Sequence, residues 1–179
     1  MRRSTAECNH YPMNITDEGL FARLDGLEIA YRTHRHPPLF TVEESQALRG
    51  ALPGIHIKNL FLRDKKKKIW LITALEDRKI DLKALRRRLG AKGALSFGSA
   101  ELLMAHLGVQ PGAVTPFGII NDRAGDVSVV LDQAIFGPDP LNAHPMRNDM
   151  TIALAPGDLI RFLEAESHIP LVLDFDALD

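Results

Sequence analysis

The chain has 179 residues, of which 45% are hydrophobic and 25% are charged, and its formal net charge at pH 7 is −1. This balance is that of one ordinary globular domain, and so small a net charge creates no overall field that would draw the protein to nucleic acid or membrane. The lone cysteine, Cys8, excludes an internal disulfide bond, and no apolar run reaches the ~18 residues of a membrane span.

The N-terminal stretch does not resemble a secretory signal, because no apolar run follows its two arginines. We therefore expect a cytoplasmic protein with a loose tail over residues 1–15 and a single domain over residues 16–179. Thr16 is placed to cap a helix with apolar residues at helical spacing: Leu20, Phe21, Leu24 and Leu27.

A strand is expected over residues 28–33, and the HRHPP segment at 34–38 predicts a loop because proline interrupts strand pairing. A capping box at residues 41–44 predicts a helix that continues to Leu48 and is ended by Gly50 and Pro53.

Residues 54–74 read as two strands joined by a lysine-rich turn. The first strand is apolar on both faces, which is typical of an interior strand with layers above and below it.

Downstream, Asp81 and Ser99 are placed to cap two helices, and Pro156 to open a third. Further strands are expected over residues 94–97, 127–136, 150–154 and 170–175, with a proline-bounded loop over 137–149. This mixture predicts an α/β fold, with a mixed, largely antiparallel sheet flanked by helices.

Lys58 does not fit the apolar surface of the first central strand, because burying an unpaired ammonium is costly. Three interpretations are open: a lysine whose head reaches water, a lysine paired with a carboxylate, or a lysine at a cavity that receives an anion. Asn59 adds a polar group on the other face, and two adjacent polar residues favour the rim of a pocket.

Three other features are candidates for function. The glycine- and proline-rich stretch from Pro111 to Gly118 predicts either a rigid turn or a wall of exposed backbone against a ligand. His144, held extended by Pro145, is a surface or a site histidine. The run Lys65, Lys66, Lys67 and Lys68 is a solvated turn or a contact for a phosphate backbone. Neither the histidines nor the cysteine show metal-ligand spacing.

Three stretches, residues 58–75, 95–122 and 142–154, resemble the YbaK-like editing-domain family. That family includes the insertion domain of bacterial prolyl-tRNA synthetases and its freestanding relatives. Among these, the chain is most similar to the freestanding deacylase that acts on alanine attached to proline tRNA. The resemblance covers nearly all of the chain after the tail.

The resemblance implies a curved mixed sheet flanked by helices and hydrolysis of mischarged tRNA(Pro) in trans, without cofactor or metal. It places the family's lysine on Lys58, its asparagine on Asn59 and its histidine on His144 as catalytic residues. Its substrate-binding loop falls on Gly112, Ala113, Val114, Thr115 and Pro116, followed by Gly118. Prolyl-tRNA synthetase and an elongation factor are candidates for transient contact, and no membrane partner is expected.

An aminoacyl ester is already activated, so its hydrolysis needs a positioned water and donors for the carbonyl oxygen rather than a protein nucleophile. Two alternatives remain open: a deacylase for another small residue, such as cysteine or serine, and a non-catalytic RNA- or synthetase-binding module of the same fold.

Overall fold

The computed structural model describes residues 14–38 and 52–178. The helix predicted from the capping box at 41–44, and all of the predicted tail except Asn14 and Ile15, lie outside this part of the chain. The described segments before the basic turn are α1 (Asp17–Gly26), β1 (Tyr31–Arg35) and β2 (Ile55–Arg63).

After that turn come β3 (Ile69–Leu75), α2 (Leu82–Leu89), β4 (Ser96–Phe97) and α3 (Ala100–Leu107). The remaining elements are β5 (Val127–Asp132), β6 (Leu141–Ala143), β7 (Met150–Leu154), α4 (Pro156–Ala165) and β8 (Leu171–Leu173). Short 3-10 helices cover Pro116–Asn121, Gln133–Ile135 and Phe175–Ala177. Among the described residues, no helix is long and apolar enough to cross a membrane.

The eight strands form one sheet in the order β1-β7-β6-β2-β3-β5-β8, with β4 paired to β2. In the described part of the chain, four of the seven pairings are antiparallel: β1–β7, β2–β3, β2–β4 and β6–β7. The predicted mixed, largely antiparallel α/β architecture is therefore confirmed. β2 has neighbours on both sides, as its apolar pattern predicts.

The sheet separates two hydrophobic clusters, and the alternation along β2 shows which side chain belongs to which. Phe61 lies in the larger cluster, with Ile55 and Ile57 packed against it. Leu62 lies in the smaller cluster, with Leu60 packed against it. The odd-numbered residues of β2 thus face the larger cluster. The even-numbered residues, Lys58 among them, face the other side.

The predicted helix caps at Asp81 and Ser99 are present, and both helices end at a left-handed glycine. The Asp81 carboxylate accepts from the Lys83 N–H at 2.7 Å, and the Ser99 hydroxyl accepts from the Leu102 N–H at 3.2 Å. Gly90 and Gly108 end the two helices with φ values of 63° and 65°. Thr16 occupies the N-cap position of α1, but its side chain makes no capping hydrogen bond.

Some predicted strand limits were wrong, in each case because non-local pairing or a side-chain cap decides them. β1 begins later than predicted and takes in His34 and Arg35, which pair with Thr151 and Met150 of β7. β5 stops at Asp132, whose carboxylate accepts from the Ala134 N–H at 3.0 Å and begins a 3-10 turn.

The predicted 137–149 loop contains β6, which pairs with both β2 and β7. The closing strand is shorter than predicted and covers only Leu171–Leu173.

Candidate active site

The Lys58 side chain extends from the middle of β2 to the turn after β3, where its ammonium donates to the backbone carbonyl of Arg78. Within residues 14–38 and 52–178 its Nζ makes no ion pair with a carboxylate. A lysine charge satisfied only by a neutral carbonyl retains the capacity to attract an anion. Of the three interpretations of Lys58, the structure thus gives no support to a carboxylate pair among the described residues.

The turn that receives Lys58 borders a cavity of about 630 Å³, which is lined by Gly54, Ile55, His56, residues 75–78 and Asp176. Arg78 holds this turn in place. Its Nε lies 2.6 Å from Asp132 Oδ2, and its Nη1 lies 2.5 Å from Asp176 Oδ1. The hydrogen bond to Asp176, reinforced by Asp132, keeps the pKa of Arg78 above its ordinary value. The carbonyl that binds Lys58 is therefore held by a fixed, charged guanidinium.

Asn59 lies on the opposite face of β2 from Lys58 and is bound at both ends of its amide. Its Nδ2 donates to the carbonyl of Val114 at 3.0 Å, and its Oδ1 accepts from the Thr73 hydroxyl at 2.8 Å. Thr73 is the residue across from Asn59 on β3 and is fully buried. Asn59 thus ties the Gly112–Gly118 loop to the centre of the sheet.

The Gly112–Gly118 loop divides into an open half and a packed half. Gly112 is exposed, has φ +91°, and would meet nothing within 4 Å of an added Cβ. In contrast, a Cβ on Gly118 would lie 2.8 Å from the Leu107 Cβ. Thr115 is fully buried, and its hydroxyl accepts from the Phe117 N–H at 3.4 Å to begin the 3-10 helix. Only the open half has room for a ligand, and the packed half fixes it against α3.

His144 follows β6 directly, and β6 runs parallel to β2 with Asn142 beside His56. Paired residues of neighbouring strands share a face, so His144 lies on the same face of the sheet as His56 and Lys58. Its Nδ1 lies 3.0 Å from the carbonyl of Met150. A carbonyl only accepts, so Nδ1 carries the hydrogen and Nε2 of the neutral ring is an acceptor.

Burial lowers the pKa of His144 below its ordinary value of 6.5, which favours the neutral ring. Nearby charge modifies this shift in both directions, since His36 lowers the pKa further and the Glu76 carboxylate raises it. At neutral pH the face that carries Lys58 therefore also carries a histidine with a free basic nitrogen.

The exposed lysine turn lies at the far end of the β2–β3 hairpin from Lys58, about 20 Å away at 3.3 Å per residue. Its shape depends on Asp64, which is only 4% exposed. The two carboxylate oxygens accept from three backbone N–H groups, those of Lys66, Lys68 and Lys92, at 2.8, 3.0 and 2.8 Å. These bonds, foremost the one from Lys92, lower the pKa of Asp64. The backbone conformation of the turn thus does not depend on the lysine side chains.

A possible set of metal ligands lies elsewhere: His106, Asp122 and Asp126 each place one ligand atom within 4.8 Å of the others. The buried Asp122 carboxylate is already engaged, since it accepts from the Val127 N–H at 2.7 Å and pairs with His168 Nε2 at 2.9 Å. We assign this cluster to the structure of the turn before β5 and not to a metal.

The structure therefore brings Lys58 and His144 to one face, places Asn59 and its loop on the other, and puts the lysine turn at a distance. The sequence interpretation missed Arg78, whose partners Asp132 and Asp176 are more than 50 residues away. It placed His36 in a loop, as the structure does, but did not foresee that the His36 ring lies beside that of His144. Each of these histidines is followed by a proline, at 36–37 and 144–145, and this shared pattern was the sequence feature that could have indicated the contact between them.

Comparison with known proteins identifies the class of domain. Residues 36–162 match the family model of the aminoacyl-tRNA editing domain. The chain belongs to this family, and the resemblance noted in the sequence is confirmed.

Two relatives illustrate the relationship. Prolyl-tRNA synthetase associated domain-containing protein 1 of Mus musculus is 42% identical over 158 residues, covering 86% of this chain and 93% of the relative. Prolyl-tRNA editing protein ProX of Acetoanaerobium sticklandii is 37% identical over 152 residues, covering 84% and 92%.

A solved structure, that of a "putative trans-editing enzyme for prolyl tRNA synthetase", has a TM-score of 0.68 at 18% identity and covers 88% of this chain and 94% of that one. At this identity the similarity shows that the fold is shared.

Proposed function

We propose that this protein is a trans-acting aminoacyl-tRNA editing hydrolase that removes alanine from mischarged tRNA(Pro). The observation that carries the proposal is the placement of Lys58 and His144 on the same face of the sheet. Lys58 has no carboxylate partner among the described residues and reaches the wall of a 630 Å³ cavity. Family membership and the names of the relatives support a substrate among charged tRNAs.

In this proposal Lys58 binds the phosphate or ribose of the terminal adenosine by charge. His144 Nε2 accepts a hydrogen bond from the attacking water or from the ribose hydroxyl next to the ester. The ester is activated already, so positioning these groups supplies most of the rate. The ribose hydroxyl assists by orienting the water, and no covalent intermediate with the protein is formed.

Asn59 contributes to the site through the loop that it holds. The exposed Gly112 is the loop residue with space for a ligand, and it is proposed to bind the substrate at a point other than the ester, because the loop lies on the face away from Lys58 and His144. Lys65, Lys66, Lys67 and Lys68 are the proposed contact for the tRNA backbone further from the ester. Prolyl-tRNA synthetase or an elongation factor is a transient partner, and the proposed location is the cytoplasm.

Selection of alanine follows from size. A synthetase built for proline rejects a smaller side chain only weakly, since a missing methylene is worth ~1–3 kcal/mol, and a second site that excludes proline corrects the error. Ile55 and Leu75 are the apolar members of the cavity wall, and the other side chains along it are polar or charged. We place the alanyl methyl against this apolar pair and the polar groups of the substrate along the rest.

The test is incubation of the protein with Ala-tRNA(Pro), Cys-tRNA(Pro) and Pro-tRNA(Pro). We expect alanine to be released much faster than proline. Release of proline at the same rate as alanine would contradict selection by size. Faster release of cysteine would assign the sister activity, and release of no amino acid would assign a binding module.

A further inference from the structure

The imidazole rings of His36 and His144 lie side by side, with centroids 6.3 Å apart and planes tilted by 53°. His36 immediately follows β1. Its backbone N–H donates to the Asp149 carbonyl at 3.2 Å, and this bond extends the β1–β7 ladder by one hydrogen bond. His144 immediately follows β6. Two histidines that are 108 positions apart in sequence are therefore brought together by the strand between them, β7.

Consecutive residues of β7 anchor the two rings. The Met150 carbonyl lies 3.0 Å from His144 Nδ1, and the Thr151 hydroxyl lies 3.0 Å from His36 Nε2. The other nitrogen of His36, Nδ1, lies 2.9 Å from the Pro37 carbonyl. Thr151 is only 4% exposed.

The acceptors determine where the hydrogens lie. Because a carbonyl accepts only, Nδ1 carries the hydrogen in both rings. In neutral His36, Nε2 then accepts from the Thr151 hydroxyl. Both nitrogens of His36 are occupied in this arrangement, so the residue has no free nitrogen for substrate. The His36 ring is instead available to restrict the neighbouring His144 ring.

We propose that His36 and Thr151 are positioning residues, which fix the ring of His144 so that Nε2 is its acceptor nitrogen during deacylation. This inference rests on the proposed function of the site. It adds two residues, on β7 and at the end of β1, that need not touch the substrate. Small displacements of a positioned group are costly in rate, so loss of either residue should appear in kcat.

Thr151→Val tests the inference, because it keeps the shape of the side chain and removes the hydroxyl. We expect single-turnover hydrolysis of Ala-tRNA(Pro) to fall about tenfold with KM unchanged. Thr151→Ser, which restores the hydroxyl, should recover most of the rate. His36→Gln, which keeps a polar group for Thr151 but no ring, should lose rate as Thr151→Val does. Thr33→Val, on the exposed part of β1, is the matched control and should change nothing.

A second measurement does not depend on the substrate. Long-range ¹H–¹⁵N spectra of His144 should show a single Nδ1–H tautomer in the parent protein and in Thr151→Ser. They should show a mixture of tautomers or broadened ring signals in Thr151→Val and His36→Gln.

An unchanged rate or an unchanged His144 spectrum in Thr151→Val would overturn the inference. Hydrolysis of no charged tRNA by the parent protein would instead defeat the proposed function, and the spectra would then decide the positioning of His144 on their own.

Discussion

Lys58 and Asn59 are adjacent in the chain, yet they bind on opposite sides of the sheet. The Lys58 ammonium donates to the Arg78 carbonyl on the face shared with His144, whereas the Asn59 amide donates to the Val114 carbonyl at 3.0 Å on the other. Alternation along β2 makes this separation unavoidable. Replacing Lys58 and replacing Asn59 should therefore have different effects on activity and on stability.

Lys58→Met should abolish deacylation without harming the fold. The stem is kept, the charge is removed, and the lost partner is one carbonyl rather than a carboxylate. We expect the rate to fall by orders of magnitude while Tm stays within a few degrees of the parent or rises, because desolvation of the ammonium is relieved. Thermal melts measure Tm, and single-turnover assays measure the rate of deacylation. Lys83→Met, at an exposed position of α2, is the control. A large loss of Tm with the rate per folded molecule preserved would assign Lys58 a structural role.

Asn59→Ala should lower stability as well as rate. It leaves the Val114 carbonyl without its donor and the buried Thr73 hydroxyl without its acceptor, a cost of roughly 1–3 kcal/mol. At about 2–4 °C per kcal/mol for a domain of this size, Tm should fall by roughly 2–12 °C. If Asn59→Ala loses activity but keeps the parent Tm, Asn59 contacts the substrate directly.

Replacing all four lysines of the 65–68 turn by glutamine should weaken tRNA binding but not chemistry. The turn keeps its shape because Asp64 binds backbone N–H groups and not the lysine side chains. We expect KM to rise, its dependence on salt to flatten and kcat to stay nearly constant. Arg32→Gln, at an exposed position of β1 on the far edge of the sheet, serves for comparison. A KM that is unchanged at low salt would leave the run as a solvated turn.

The pH dependence of the rate should report His144. Its pKa is lowered by burial, so the neutral ring persists below the ordinary value of 6.5. With non-enzymatic ester hydrolysis subtracted, kcat/KM should be level from pH 8 to near 6.5 and fall only at lower pH. The His144→Gln variant should be slow and should lack this acid limb. His36 and Glu76 are the titratable groups that influence His144. An acid limb that persists in His144→Gln would belong to one of them.

Asp122→Asn should destabilise the domain, because the buried carboxylate accepts from Val127 and pairs with His168. Removing one partner of such a network costs roughly 3–5 kcal/mol, or about 6–20 °C in Tm. The hydrogen bond to Asp122 raises the pKa of His168 above 6.5. The contribution of the His168–Asp122 pair to the free energy of unfolding is therefore fully present below pH 6.5, and it is lost as the pH rises through the raised pKa of His168.

Melts at pH 6 and pH 8 test both parts of this prediction. The difference in Tm between the parent and Asp122→Asn should be larger at pH 6 than at pH 8. Asp126→Asn, at an exposed position of the same cluster, should cost little. Equal losses at the two pH values would show that the His168 imidazolium contributes nothing to the pair.

The sequence predicted the parts of this molecule that depend on local pattern. β2, its apolar faces and the caps at Asp81 and Ser99 follow from spacing and residue type, and the family resemblance followed from three contiguous stretches. β6 was not predictable, since three residues between Pro140 and His144 gain their stability from β2 and β7. The ion pairs of Arg78 and the contact of His36 with His144 likewise depend on strand order, which no local pattern contains.

The buried carboxylate of Asp64 has a consequence for hydrogen exchange. Amide hydrogens in an exposed turn normally exchange with solvent quickly, because nothing but water binds them. The amides of Lys66, Lys68 and Lys92 are instead bound to a carboxylate that is 4% exposed. The most highly charged loop of the described chain should therefore exchange as slowly as the strands beside it, although its four lysines are exposed to water.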